Sequence, residues 1–554
     1  MRPGTIIHPL AGKPASRDRL IDIGTLRNAY YMRKPDVMDR SQRVRFGPGG
    51  HRGESLRGAF NEAHVLAITQ AICDYRLSQG ITGPTFIGRD THALSEPAFT
   101  TALEVLAGNS VEAIVDSHGG YTPTPALSHA VLRHNISRTA GLADSIIITP
   151  SQNPPEDGGI KYNPPHGGPP SDDVTRWIEN KANWLLSSDL RNVARIAYER
   201  ARRAATIHTY DYVGAYVNDL GSVVDMEAIR GARLSVGVDP LGGAGVVVWR
   251  PIVERWGIDI EIVNDTVDST FRFMPLDWDG TIRMDCSSPH AMARLIALKD
   301  RFDVAFGNDT DADRHGIITR DAGLMDPNHY LAAAVYYLGT HRRGWGADAA
   351  IGKTAVSSSM IDHIAARLGR AVVETPVGFR WYVTGLLSGS IAVAGDESAA
   401  ASFLRRDGTV WVTEKDGIVM ALLAMELMAR TGRTPSELYA GLAPELGSVI
   451  RECIDAPATD EERAVLMTLS PGDVRATTLA GDPVEALFTS AAGNGAHLGG
   501  LKVVTAYGWF AAIPSGTDPV YKLYAESFRS AEHLKQIQDD ASAVIGSVLA
   551  GAIG

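Results

Sequence analysis

"TFIGRDTHALSEPAFTTALEVLAGNSVEAIVDS", residues 85–117, reads as strand, helix, strand. Ser95 offers a helix cap, Glu96 and Pro97 suit a first turn, and Phe99, Leu103 and Leu106 recur at helical spacing. The rhythm returns in "RLSVGVDP" (233–240), "VVVWRPIVERWG" (246–257) and "DIEIVND" (259–265), and again in "AAIGKT" (349–354), "SMIDHIAARLG" (359–369) and "AVVETPVGF" (371–379). Strand, helix and strand of these lengths make βαβ units, so three largely parallel, layered α/β sheets are expected. The C-terminal stretch "GGLKVVTAYGWFAAIPSGTDPVYKLYAESF" (499–528) instead alternates strands and turns before a helix, an α+β pattern. The expected domains are 1–205, 206–322 and 323–445, all α/β, and 446–554, α+β.

A chain of 554 residues exceeds what one core holds, and 44% apolar with 21% charged residues suits several folded cores. A net charge of −11 argues against nucleic acid and anionic membranes as general partners. Cys73, Cys286 and Cys453 are too few and too scattered for a disulfide framework, which fits a reducing compartment. The N-terminus lacks the apolar core of a signal peptide, and the apolar helix around 418–429 is too short to span a bilayer. A soluble, cytoplasmic protein is expected.

Four loops carry chemistry. "IIITPSQNPPEDGGIKYNPPHGGPP" (146–170) ends an apolar strand at Ser151 and runs into a Pro- and Gly-rich loop with Lys161 at its far end. "FGNDTDADRHGI" (306–317) spaces Asp309, Asp311 and Asp313 so that they can converge on a hard dication, with Arg314 next. The pattern fits an EF-hand poorly, since Arg314 and Arg320 stand where that loop needs Gly and Glu. "AGDESAAASFLRRDG" (394–408) holds Asp396, Glu397 and Ser398 in a turn, with "EKDG" at 414–417. "IPSGTD" (513–518) offers hydroxyls and backbone N–H groups to a phosphate through Ser515, Gly516 and Thr517. "VGFRW" (377–381) joins a strand to a helix. Neither "GKT" (352–354) nor "GGAG" (242–245) completes a nucleotide-binding motif.

In this order the four loops resemble the α-D-phosphohexomutase superfamily, bacterial phosphoglucomutase branch. The likeness runs from "RFGPGGHRG" (45–53) to the C-terminal helix and takes in "VDPLGGAG" and "FRFMPLDWDGTIRMDCSS". It implies four domains around a central cleft and a phosphosugar mutase, an isomerase. Ser151 would carry the phosphoryl group and, with Asp309, Asp311 and Asp313, hold one Mg²⁺. Arg52 and Arg314 would neutralise charge. Lys161, with a pKa lowered among cations, and Lys415 would move hydroxyl protons. Gly378, Phe379, Arg380, Asp396 and Ser398 would bind the sugar, and Ser515, Gly516 and Thr517 the phosphate not reacting. Glucose 1-phosphate and glucose 6-phosphate are the implied pair, with glucose 1,6-bisphosphate as intermediate and activator. The likeness breaks at Pro48-Gly49-Gly50, Gln152, Asp396, Ala399, Arg380, Ile513 and Asp518. The largest change is Ile513, which stands where the family has a phosphate-gripping arginine. Two alternatives follow, a paralog acting on another phosphorylated sugar or cyclitol and a non-catalytic phosphosugar-binding protein.

Overall fold

The computed structural model of the chain describes residues 7–47, 49–515 and 519–553. Among these residues four sheets of four or more strands succeed one another, with a separate two-stranded ribbon near the end. The first contains β1 (His51–Glu54), β2 (Thr85–Arg89), β3 (Ala113–Asp116), β4 (Asp144–Ile148), β5 (Asp157–Asn163) and β6 (Ile207–Tyr210), in the order β1-β5-β4-β2-β3-β6. The second contains β7 (Val236–Asp239), β8 (Glu261–Ile262), β9 (Val304–Asn308), β10 (His315–Thr319) and β11 (Gly323–Leu324), ordered β11-β10-β9-β7-β8. The third, β13-β12-β14-β15, is built from β12 (Ala350–Thr354), β13 (Val372–Thr375), β14 (Ile391–Asp396) and β15 (Ala400–Phe403). The last begins at β16 (Ile450–Pro457), followed by the small ribbon β17 (Thr478–Leu479) and β18 (Asp482–Pro483). It continues with β19 (Ala486–Ser490), β20 (His497–Thr505), β21 (Gly508–Pro514) and β22 (Val520–Ser527). Its order is β16-β22-β21-β20-β19, with every pair antiparallel.

The α/β reading of the first three sheets holds, with one pattern that periodicity did not reveal. Each has a parallel centre and an antiparallel return on one side: β4 to β5, β9 to β10, and β14 to β15. The central strands are apolar on both faces because helices cover both. Ile146, Ile147 and Ile148 of β4 are all buried. One apolar cluster runs from Phe86 through Trp249 and Tyr330 to Leu423, so the first three sheets share a continuous core. The fourth sheet buries Leu501, Phe510 and Leu523 against the long helix Ala531–Ile553.

Three local expectations are corrected. Ser95 is the first helical residue of Ser95–Gly108 rather than its cap, because its hydroxyl donates to Asp90 Oδ1 (2.5 Å). Lys161 does not end a loop: residues 157–163 form β5, and the two glycines there serve close packing rather than a turn. A Cβ on Gly158 would stand 2.4 Å from the Phe60 ring, and one on Gly159 would stand 2.2 Å from Thr149 O. Residues near the N-terminus pack on the second sheet, not the first. Leu10, Ala15 and Leu20 cover its cluster, and Pro14 bridges to Pro275. No helix among the described residues is long and apolar enough to cross a membrane.

Candidate active site

The chemistry-bearing loops sit at the turns of antiparallel strand pairs: β4–β5 for Ser151, β9–β10 for the aspartates and β14–β15 for Asp396 to Ser398; Ser515 directly follows β21, which pairs with β22. Three of these turns force a residue with a side chain into the left-handed region: Ser151 (φ +57°), Ala312 (+57°) and Ala399 (+62°). Such conformations are held only where surrounding contacts over-determine them. The turns interlock. Ser151 Oγ donates to Asp309 Oδ2 (2.7 Å), and Thr310 Oγ1 donates to Ser151 O (2.5 Å). His315 N donates to Ala399 O (3.2 Å), and Gly417 N donates to Ala312 O (3.1 Å).

Asp309, Asp311 and Asp313 present carboxylate oxygens within 4.8 Å of one another, all buried. Asp311 Oδ1 and Asp313 Oδ1 accept no hydrogen bond among the described residues. Buried, convergent and under-satisfied oxygens fit a hard divalent cation. Around them stand four cations. Lys161 Nζ donates to Asp311 Oδ2 (2.6 Å) and Asp313 Oδ2 (3.4 Å), and Lys415 Nζ lies 3.0 Å from Asp313 Oδ2 and 2.5 Å from Glu414 Oε1. Arg314 N donates to Asp309 Oδ1 (3.0 Å), and Arg52 Nη1 donates to Asn153 Oδ1 (3.2 Å). The Nε donors of Arg52 and Arg314 are buried without a hydrogen-bond partner among the described residues, Arg314 Nε standing 3.8 Å from Asp313 Oδ1.

The electrostatics follow from this crowding. Burial, then the charges of Asp311 and Asp313, hold the Asp309 carboxyl well above the usual range. Burial would also raise Asp311, but Lys161, together with Asp309 and Lys415, more than offsets it and keeps that carboxyl low. Burial and the facing Arg314 lower Arg52 from its ordinary value. Lys161 departs from expectation. Burial depresses it, yet Asp311 and Asp313 outweigh burial and hold it above the ordinary lysine value. It sits against carboxylates rather than among cations. Lys415 is raised for the same reason by Asp313 and Glu414.

The sugar-loop residues are close by. Asp396 Oδ1 accepts from Ser398 N (2.9 Å) and Oγ (2.7 Å), and the Asp396 charge reaches Arg314. Gly378 has φ +123°, a value that only glycine adopts without strain. Phe379 is buried, with Lys415 Nζ 5.9 Å from its ring centre. Arg380 pairs with Asp172 and lines one cavity with Gly49, Gly50, Lys161 and Lys415. Ser515 N donates to Val520 O (2.9 Å), and Ser515 O accepts from Arg463 Nη1 (2.9 Å). Gly516 and Thr517 lie outside the described residues.

Residue patterns missed several participants. Thr124 Oγ1 donates to Asp311 Oδ2 (2.8 Å), and Asn163 Nδ2 donates to Glu414 Oε2 (3.1 Å), joining the first sheet to the loop of Lys415. Arg463 comes from a helix some fifty residues away in sequence from the turn it touches. Single polar residues in helices and strands carry no spacing signal, so only the folded chain reveals them.

The chain matches the family models for phosphoglucomutase/phosphomannomutase alpha/beta/alpha domain I over residues 43–186, domain II over 214–323 and domain III over 326–446. It is 56% identical over 546 residues to a phosphoglucomutase of Komagataeibacter xylinus, covering 99% of this chain and 98% of that one. Phosphoglucomutase 1 of Drosophila melanogaster is 26% identical over 68% of this chain and 67% of its own length. The crystal structure of a putative phosphomannomutase from Thermus thermophilus shares the fold, with a TM-score of 0.71 at 23% identity over 91% of this chain and 99% of that one. The chain belongs to the α-D-phosphohexomutase superfamily, on its bacterial phosphoglucomutase branch.

Proposed function

We propose that this phosphosugar mutase interconverts glucose 1-phosphate and glucose 6-phosphate through a phosphoserine at Ser151. The observation that carries the reading is the junction of Ser151 Oγ with Asp309, ringed by Lys161, Lys415, Arg52 and Arg314. Identity of 56% across 99% of the chain with a phosphoglucomutase supports the substrate pair. Mg²⁺ is the cation assigned to Asp309, Asp311, Asp313 and the phosphorylated Ser151. When bound, it supplies Lewis-acid polarisation of a phosphoryl oxygen and offsets the carboxylates' charge.

In the first half-reaction the P–O bond to Ser151 breaks as a bond forms from a free sugar hydroxyl oxygen to phosphorus. Lys161, protonated at rest, gives a proton to the departing serine oxygen and recovers one from the attacking hydroxyl. The product is glucose 1,6-bisphosphate, which also serves as activator. The second half-reaction returns its other phosphoryl group to Ser151 with the same bonds exchanged. Arg52 and Arg314 direct unmet donors at the transferring group, and electrostatic positioning of this kind is the main lever in phosphoryl transfer. Asp396 and Ser398 hold sugar hydroxyls, Gly378, Phe379 and Arg380 shape the sugar face, and Ser515, Gly516 and Thr517 hold the second phosphate.

The test is a coupled assay for glucose 6-phosphate, supplied with glucose 1-phosphate, Mg²⁺ and catalytic glucose 1,6-bisphosphate. Turnover is expected in the parent. Ser151→Ala and full chelation should each lower it by roughly a thousandfold or more, since each removes a component with no substitute. Activity that survives Ser151→Ala would overturn the reading.

A further inference from the structure

Beneath the serine turn lies a set of buried side chains that the proposed chemistry does not use. Asp90, directly after β2, is 1% exposed and accepts four hydrogen bonds. Oδ1 takes His92 N (3.0 Å) and Ser95 Oγ (2.5 Å), while Oδ2 takes His92 Nδ1 (2.9 Å) and Thr149 Oγ1 (2.7 Å). Two lines of contact lead from this carboxylate to opposite sides of Ser151. Along the first, Thr149 Oγ1, which donates to Asp90 Oδ2, accepts from Ser151 N (2.8 Å). Along the second, His92 Nε2 bonds Asn153 O (3.0 Å), and Asn153 Oδ1 in turn accepts from Arg52 Nη1.

We propose that Asp90, through Thr149 and His92, is the positioning group that holds the phosphoryl-carrying serine in its left-handed conformation; this rests on the function proposed above. The left-handed region is unfavourable for a serine, and the turn needs restraint on both sides of residue 151. The amide of Ser151 is fixed by a hydroxyl whose own orientation is set, because Thr149 can donate only to the Asp90 carboxylate. Both partners of the His92 ring, the Asp90 carboxylate at Nδ1 and the Asn153 carbonyl at Nε2, are hydrogen-bond acceptors, and although burial lowers the imidazole, Asp90, Asn153 and Asp157 together raise it. The assembly is also tied to the side that bears the aspartates: Thr91 O accepts from Ser269 Oγ (2.8 Å), and the His92 ring lies 5.0 Å from that of Phe271. Holding a reacting group through a fully satisfied supporting layer is how sub-ångström placement is kept.

Thr149→Val removes the hydroxyl at nearly constant shape, and Thr149→Ser restores it. Two readouts apply: hydrogen exchange of the Ser151 backbone amide, which needs no substrate, and kcat and KM in the coupled assay. For Thr149→Val the amide should exchange about tenfold faster or more. Its kcat should fall roughly 10- to 100-fold with KM within about threefold, the signature of lost placement rather than lost binding. Thr149→Ser should lie within about threefold of the parent in both. The proposal is overturned if Thr149→Val leaves the amide as protected as in the parent, or if Thr149→Ser is as impaired as Thr149→Val. Should the valine variant fail to fold, Asp90→Asn is held to the same two readouts and the same limits. A parent that turns over no glucose 1-phosphate defeats the proposed substrate pair, while the amide measurement still decides the positioning.

Discussion

Ile513 stands where the family resemblance leads to the expectation of a phosphate-gripping arginine. It is the penultimate residue of β21, packed against Ala355, Ala491 and Leu498, an apolar seam between the third and fourth sheets where a guanidinium was expected. Lys522 is its cross-strand partner and shares its face, but Lys522 Nζ donates to Asp455 Oδ1 (2.9 Å). Losing a charge-assisted phosphate contact costs on the order of 2–4 kcal/mol, about 30- to 1000-fold in binding or rate. Ile513→Arg should therefore raise kcat/KM for glucose 1-phosphate by about tenfold or more in the coupled assay. An unchanged value would mean that the phosphate is gripped without that arginine. His64 decides a different property. Its Nδ1 accepts from Asn61 N (3.0 Å) and its Nε2 donates to Gln42 O (2.8 Å), so a second proton on Nδ1 would meet a backbone N–H. Burial drops its pKa to about 4. A depressed value means that its stabilisation is present above the unfolded pKa near 6.5 and is lost as pH falls through 4. The loss is roughly 2 kcal/mol by pH 5 and about 3 kcal/mol in full. The thermal midpoint should fall between pH 7 and pH 5, and His64→Gln should show a smaller fall; parallel falls would refute the assignment.

At the scale of elements, helical segments and central strands were legible because their signals are local. Val246–Trp256 ends at Gly257 (φ +62°), and Met360–Leu368 ends at Gly369 (φ +65°), both as glycine C-caps. The apolar runs of β4 and β12 lie buried in their sheets. What periodicity could not show was the antiparallel return beside each parallel centre. "DGGIKYN" carries two glycines that read as turn chemistry, yet contacts with Phe60 and with Thr149 O, distant in sequence, require them in a strand. The same return places the loops of the first three sheets alike. The turn between a parallel strand and its antiparallel return holds a strained residue in each of the first three sheets: Ser151, Ala312 or Ala399. The motif order therefore read correctly although the local structure around it did not.

At the scale of the molecule, the site exists only because the sheets meet. Ser151 comes from the first, Asp309, Asp311 and Asp313 from the second, and Lys415 and Asp396 from the third with its following loop. The joins are specific. Thr124 bonds Asp311, Tyr216 O–H donates to Asp416 (2.8 Å), and Asn163 bonds Glu414. The fourth sheet docks on the third through Lys502 Nζ to Glu374 Oε2 (2.7 Å), with Lys353 Nζ 3.5 Å from the same oxygen. A single sequence shows which loops carry chemistry but not these pairings, since each joins residues tens to hundreds of positions apart. The central claim is that this convergence makes Ser151 a phosphoryl carrier. The most direct test is the intact mass, with peptide mapping, of the purified chain after incubation with glucose 1,6-bisphosphate and Mg²⁺. One phosphoryl group on Ser151, discharged by added glucose 1-phosphate and absent from Ser151→Ala, is the predicted result. A chain that turns over substrate while Ser151 stays unmodified, or that takes its phosphoryl group elsewhere, would contradict it.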